Sequence, residues 1–249
     1  MTTFSANLGF LWTDRSLPDA IHAAKAAGFS AVECHWPYDT PASAVKTALE
    51  QTGLAMLGLN TPRGDVDAGE NGLAALPGRE TEARAAIDLA IAYARDIDAH
   101  AVHVMAGFAQ GPTAQKTFVQ NLEYACAAAP ERVILIEPLN RHDAPGYFLS
   151  ETDHARAIIT QVGAPNLKLM FDCYHVGRTE GDLLTRLKDL GDLVGHIQFA
   201  SVPDRGTPDH GEINYPWLFE HIAQLGWHRP LGAEYKPGRP TEETLDWMT

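Results

Sequence analysis

Residues 132–140, RVILIEPLN, set the tightest limit on what this chain can fold into. From Val133 to Ile136 the run is apolar at odd and even positions alike, with Leu139 just beyond, so neither face of it suits water. A short, β-branched-rich run of this kind reads as a strand buried on both faces, the condition of a parallel sheet covered by helices. Glu137 stands where the strand ends, and Pro138 behind it cannot donate to a further ladder bond. A lone buried carboxylate is costly unless it is paired or bound to a metal. The end of this strand therefore calls for a ligand.

The rest of the chain repeats the pattern. Strands are expected at 4–10, 30–35, 54–60, 101–105, 133–137, 167–172, 194–200 and 231–235. Between them helices are expected at 17–27, 41–51, 79–97, 113–128, 151–161, 182–190 and 216–225, with a short last helix beginning within 241–248. The first has Ser16 as its N-cap, Pro18 in its first turn and Gly28 at its stop. Regular alternation means parallel strands joined by right-handed helical crossovers. Eight such units in 249 residues favour an α/β fold of the (β/α)8 TIM-barrel type, a single domain over 1–249, rather than an open sheet. No glycine-rich phosphate fingerprint follows the first strand. Two long loops remain, 201–214 and 61–78. The latter is expected to be an unstructured lid over the site.

Composition narrows the partners. A formal net charge of −13 argues against a nucleic acid or an anionic membrane surface, whose phosphates demand clustered cations. The three cysteines, Cys34, Cys126 and Cys173, are odd in number and unpaired in spacing, which fits a reducing cytoplasm. No run is long and apolar enough for a membrane span. The expected partner is a small molecule, and a homo-oligomer is compatible with everything in the sequence.

In a barrel of this type the chemistry sits at the C-terminal ends of the strands. Those ends carry Glu33, His35, Asn60, His103, Glu137, Asp172, Gln198 and Glu234. The last four recur at close to one strand–helix unit, so their oxygens would converge over one mouth. An oxygen-rich cluster suits a hard divalent cation such as Mg²⁺ or Mn²⁺. Three carboxylates in one mouth repel, and either a cation or one carboxyl kept protonated relieves them. Asp172 is equally suited to cap the next helix, and Gln198 alone carries no signal. His103 and His175 lie near the same rim, suited equally to hydrogen-bonding a substrate oxygen and to a structural role. His196 shares the face of Gln198 but sits deeper, and Cys173 points away from Asp172 into packing.

With these residues in place the sequence resembles the hydroxypyruvate isomerase family of the xylose-isomerase-like barrels, over nearly its whole length. The segments that carry the likeness are NTPRGD at 60–65, AGENGLAALPGRE at 68–80, VHVMAG at 102–107, EPL at 137–139, DCYH at 172–175, HIQ at 196–198, GEINYPWLF at 211–219 and EYKP at 234–237. The resemblance implies catalytic carboxylates at Glu137 and Glu234, and a metal quartet of Glu137, Asp172, Gln198 and Glu234. It also implies interconversion of hydroxypyruvate and tartronate semialdehyde through an enediolate. Asn60, His103 and His175 would hold the substrate, with Arg205 or Lys236 as the cation for its carboxylate. Close relatives acting on 2-oxo-tetronates or keto sugars share this apparatus, and pocket volume near 61–78 and Phe108 would decide between them. The family's closing helix is expected to be abbreviated, because the sequence stops at Thr249.

Two readings of another kind compete. A zinc-dependent DNA-repair endonuclease on this fold needs a histidine-rich site and a basic face, against which stand Asn60, Gln198 and the net charge. A non-catalytic sugar- or metal-binding barrel would keep the same quartet, and only turnover separates it.

Overall fold

The computed structural model describes residues 2–248. In chain order the elements are β1 (Phe4–Asn7), α1 (Leu17–Ala26), β2 (Ala31–Glu33), α2 (Ala42–Thr52), β3 (Ala55–Met56), β4 (Gly58–Asn60), α3 (Glu80–Asp96), β5 (Ala101–His103) and α4 (Gly111–Ala128). They continue as β6 (Val133–Ile136), α5 (Thr152–Val162), β7 (Leu167–Asp172), α6 (Cys173–Thr179), α7 (Leu183–Leu190), β8 (Val194–Phe199), α8 (Tyr215–Gln224) and β9 (Leu231–Ala233). Local chemistry sets many of the boundaries. Ser16 accepts a hydrogen bond from the Asp19 amide at the start of α1, and Asn214 does the same for Trp217 at the start of α8.

All strand pairs are parallel and run in the order β3-β2-β1-β9-β8-β7-β6-β5-β4. The two ends of that order are consecutive in sequence. The stretch expected as one third strand is broken at Leu57 into β3, which pairs β2, and β4, which pairs β5. The Leu57 amide donates to Val32 O at 2.7 Å, and the Cys34 amide to Gly58 O at 3.1 Å, so the broken strand carries the sheet round to near closure. The nine strands thus form a TIM barrel of eight positions.

Most of the core lies between this sheet and its helices. Phe199 lies at the centre of an aromatic cluster, with the rings of Phe4, Tyr215, Phe219 and Trp247 at 4.8–5.7 Å. A separate small cluster of Ala101, Leu135 and Met170 packs against Val133. It plugs the barrel interior, and the side chains above it are polar.

Three expectations are corrected. The loop 61–78 is not unstructured: Leu73, Ala74 and Ala75 are buried, the Ala74 and Ala75 amides bond Met105 O and Ala106 O, and Asn121 Nδ2 bonds Ala74 O. Within the loop only 64–69 and 77–78 are exposed, and Glu70 ties the first of these to Arg79 at 2.7 Å. A helix not foreseen, α6, begins directly after β7, because Asp172 Oδ1 accepts the Tyr174 amide and caps it. At the chain end, 241–244 and 246–248 are single 3₁₀ turns rather than an α-helix, and Thr249 lies outside the described residues. Among the described residues no helix is long and apolar enough to cross a membrane.

Candidate active site

Strand register brings the polar residues level. Asn7 pairs Glu33, Asn60 pairs His103, and Asp172 pairs Gln198. Glu137 follows the last residue of β6, and Glu234 follows β9, its amide bonded to Phe199 O at 3.1 Å. Glu33, His103, Glu137, Asp172, His175, Gln198 and Glu234 are all buried.

The carboxylates differ sharply in their partners. Glu234 is fully engaged. Oε1 accepts from Asn7 Nδ2 and His35 Nε2, each at 2.9 Å, and from Gln198 Nε2 at 3.3 Å, while Oε2 accepts from Arg205 Nη2. Burial alone would raise its pKa, but the Arg205 charge and the His35 hydrogen bond hold it well below the usual carboxylate range. Glu137 has no such donors. Its Oε1 has no hydrogen-bond partner, and His103 Nδ1 and His175 Nε2 stand 3.8 and 3.9 Å from its two oxygens. Burial, then the charges of Glu234 and Asp172, push it well above the usual range. Asp172 spends Oδ1 on the α6 cap. Its Oδ2 has no hydrogen-bond partner, 3.6 Å from His175 Nε2 and 3.7 Å from Arg205 Nη2. Burial and the Glu234 charge raise it to about 7.

Arg205 is the cation of the cluster. It has a left-handed backbone, φ 58°, clamped by its own amide to Ser201 O at 2.9 Å and by the Lys236 amide to its carbonyl at 2.7 Å. Its guanidinium lies between the rings of Phe10 and Tyr174, 4.8 and 5.0 Å from their centres. Lys236 itself is exposed, so of this residue only the backbone serves the cluster.

Both rim histidines are neutral, since burial lowers each to about 3. His175 Nδ1 accepts from the Asn140 amide at 3.0 Å, which leaves the ring proton on Nε2, aimed between Asp172 and Glu137. His103 Nδ1 faces Asn60 Oδ1 at 3.2 Å, and its Nε2 has no partner.

The donor set can be tested against a divalent cation. Within the cluster three buried side-chain oxygens lack any hydrogen bond: Glu137 Oε1, Asp172 Oδ2 and Gln198 Oε1. Ligand atoms of Glu137, Asp172 and His175 lie within 4.8 Å of one another. Because His175 carries its proton on Nε2, it serves there as a donor, and the three oxygens are the fitting ligands. Such oxygens suit a hard ion. Glu234, fourth of the expected quartet, is already shared with Arg205.

Sequence reasoning gave no role to Asn7, and it gave Glu33 and His35 a place but no role. The usable signals were glycines. A Cβ on Gly9 would lie 2.1 Å from His35 Nδ1, and one on Gly232 would lie 2.5 Å from Glu33 Oε1 and 2.8 Å from Gln198 Cγ. Glycine inside a strand, as Gly232 is in β9, marks such close approach, and Gly9 does the same in the turn after β1. A cavity of about 1140 Å³ lies elsewhere, lined by residues 208–214 and α8, and contains none of this cluster.

Comparison with known proteins gives the family. Residues 21–249 match the family described as a xylose isomerase-like TIM barrel. The chain is 44% identical to the 2-oxo-tetronate isomerase of Cupriavidus necator, over 100% of this chain and 98% of that protein. It is 38% identical to the hydroxypyruvate isomerase of Escherichia coli, with the same two coverages. A crystal structure from Brucella melitensis, described as an AP endonuclease of family 2, superposes with a TM-score of 0.95 at 37% identity, over 100% of this chain and 98% of that one. The chain belongs to the family of xylose isomerase-like TIM barrels, and it is an isomerase of that family.

Proposed function

We propose that the chain moves a carbonyl between adjacent carbons of a small 2-oxo-3-hydroxy acid, with hydroxypyruvate and the four-carbon 2-oxo-tetronates as its substrate class. The observation that carries this reading is the pair of buried glutamates in opposed settings: Glu234 saturated with donors, Glu137 with one bare oxygen. Isomerisation of hydroxypyruvate takes a proton from C3 and returns one to C2, while a hydroxyl proton passes from the C3 oxygen to the C2 oxygen. An acid and a base with separated pKa values at one mouth are what that exchange requires.

The chain's residues divide the work. Arg205 is the group a substrate carboxylate can share, and sharing it loosens its hold on Glu234, which then accepts the carbon-bound proton. With no cation bound, burial and the charges of Glu234 and Asp172 hold Glu137 protonated, and it delivers that proton to the neighbouring carbon. His175 donates from Nε2 toward an enediolate oxygen, and His103 Nε2 accepts from a substrate hydroxyl. Glu137, Asp172 and Gln198 would hold a divalent cation, which when bound supplies positive charge against the developing enediolate.

The 44% identity to a 2-oxo-tetronate isomerase, against 38% to a hydroxypyruvate isomerase, supports keeping four-carbon acids in the class. The net charge of −13 argues against the endonuclease activity named for the Brucella protein, since phosphate backbones demand cationic surface. The test is a proton-exchange and isomerase assay over hydroxypyruvate, 2-oxo-tetronates and ketoses. Binding without turnover of any of them would return the chain to a non-catalytic barrel.

A further inference from the structure

Gln198 is a neutral amide among carboxylates, and an amide can present either its oxygen or its nitrogen to the site. Its nitrogen is taken. Nε2 donates to Glu33 Oε1 at 3.1 Å and to Glu234 Oε1 at 3.3 Å. An ionised carboxylate only accepts, so it selects the NH₂ end. Glu234 Oε1 already receives Asn7 and His35 at 2.9 Å, which makes its hold on Gln198 the weaker one. The stronger hold belongs to Glu33.

Glu33 is itself fixed. Its Oε2 receives His196 Nε2, and Asn7 Nδ2 stands 3.3 Å from its Oε1. Asn7 in turn cannot flip, because its Oδ1 accepts the Gly9 amide at 2.9 Å. The absent side chain of Gly232 makes the room, since a Cβ there would meet Glu33, Gln198 and His196 together. Below the mouth the barrel therefore holds a built layer of four side chains, Asn7, Glu33, His196 and Gln198, whose one free valence is Gln198 Oε1, buried and without a partner.

We infer that Glu33 is a positioning residue: it turns the Gln198 amide so that its oxygen joins Glu137 Oε1 and Asp172 Oδ2 as the third ligand of a divalent cation. The inference rests on the cation reading of this site. Groups that orient a metal ligand typically cost 10–100-fold in metal affinity when replaced.

The experiment titrates chelator-stripped protein with Mn²⁺ by calorimetry, and separately follows the Gln198 side-chain amide by ¹⁵N–¹H NMR, assigned through its loss in Gln198→Ala. Glu33→Gln, whose amide can donate as well as accept, should weaken Mn²⁺ binding about 10–100-fold. In a Gln198→Ala background it should cost nothing further. Glu33→Gln should also shift the Gln198 NH₂ proton that Glu33 receives. Glu33→Asp, which keeps an acceptor, should retain tighter binding than Glu33→Gln. An equal loss in both backgrounds, or an unchanged amide signal in Glu33→Gln, overturns the role. Should Glu33→Gln not fold, Gly232→Ala displaces the same carboxylate without altering charge, and unchanged Mn²⁺ affinity there would overturn it too. If the unmodified chain takes up no Mn²⁺, the cation reading fails, and the amide signal alone then decides whether Glu33 sets the orientation of Gln198.

Discussion

Arg205→Met is the most informative single change, because one guanidinium holds the charge balance of the mouth. Its Nη2 bonds Glu234 Oε2 and lies 3.7 Å from Asp172 Oδ2, in a setting where Glu137, Asp172 and Glu234 are all buried. Methionine keeps much of the volume and can pack between Phe10 and Tyr174, but it leaves three carboxyls without a cation. Breaking a buried pair by removing one partner typically costs about 3–5 kcal/mol. For a chain of this length that corresponds to roughly 10 °C in Tm at neutral pH. The pH dependence is the sharper test. In the unmodified protein the depressed Glu234 contributes stability that is present above its unfolded pKa, about 4.5, and lost as pH falls through the folded value. Without Arg205 burial dominates, the Glu234 pKa rises above the unfolded value, and the sign reverses. The folded variant then binds a proton that the unfolded chain has released, so stability falls as pH rises above about 4.5, by up to about 1.4 kcal/mol per pH unit for that proton. Thermal melts from pH 5 to 8 should show the gap between variant and parent widening with pH. Added Mn²⁺ should raise the variant's Tm more than the parent's, by replacing the missing charge. A variant whose melting curve tracks the parent's at every pH would refute the assignment of Arg205 as the balancing cation.

Further expectations follow from other parts of the molecule. Glu137→Gln and Glu234→Gln should each lower kcat by about 10²–10⁴-fold with a much smaller change in substrate affinity, read from steady-state kinetics and calorimetry; near-parental turnover in a folded Glu234→Gln protein would end the two-carboxylate scheme. Asp172→Asn should weaken Mn²⁺ binding first, with activity partly recovered at high Mn²⁺, and should leave the α6 cap in place because the amide oxygen still accepts the Tyr174 amide. Phe199→Ala, which empties the centre of a five-ring cluster, should cost about 3–5 kcal/mol in denaturant unfolding with little effect on KM. Hydrogen exchange slowed by a substrate analogue in the 61–78 loop should be confined to 64–69, since 73–75 are already packed; uniform slowing over the whole loop would contradict that division.

The barrel was legible because its signal is redundant. Runs such as 133–136 and 167–172 are apolar on both faces, and each is followed by a helical period, so an error at one boundary does not disturb the rest. Where redundancy is lacking, the reading failed. Leu57 breaks a strand whose two halves have the same character, and only the need to close the sheet sets the break. The helix α6 carries too few residues for a periodic signal, and its start depends on which way the Asp172 carboxylate turns. The same dependence on direction explains what was seen of the site. Glu137, Asp172, Gln198 and Glu234 stand at strand ends, where phase with the barrel repeat gives their position directly.

Phase says nothing about loops or about partners. Arg205 sits in a loop, so the sequence offers it only as a cation somewhere on the rim. Its place against Glu234 depends on a left-handed backbone residue and on a carbonyl held by the Lys236 amide, neither of which has a sequence period. Asn7 was read as mid-strand, because 4–10 is hydrophobic enough to continue; in fact β1 ends at Asn7 and a turn follows. The information was nevertheless present in residues with no side chain. Gly9 and Gly232 are the two positions where a methyl would strike His35 and Glu33, and both mark the wall where Glu234 is held. A polar layer this crowded can form in a barrel only if some strand positions are left empty. In chains of this architecture, the glycines near strand ends are therefore evidence about the carboxylates beside them, and Gly232→Ala should disturb Glu33 and Gln198 before it disturbs the fold.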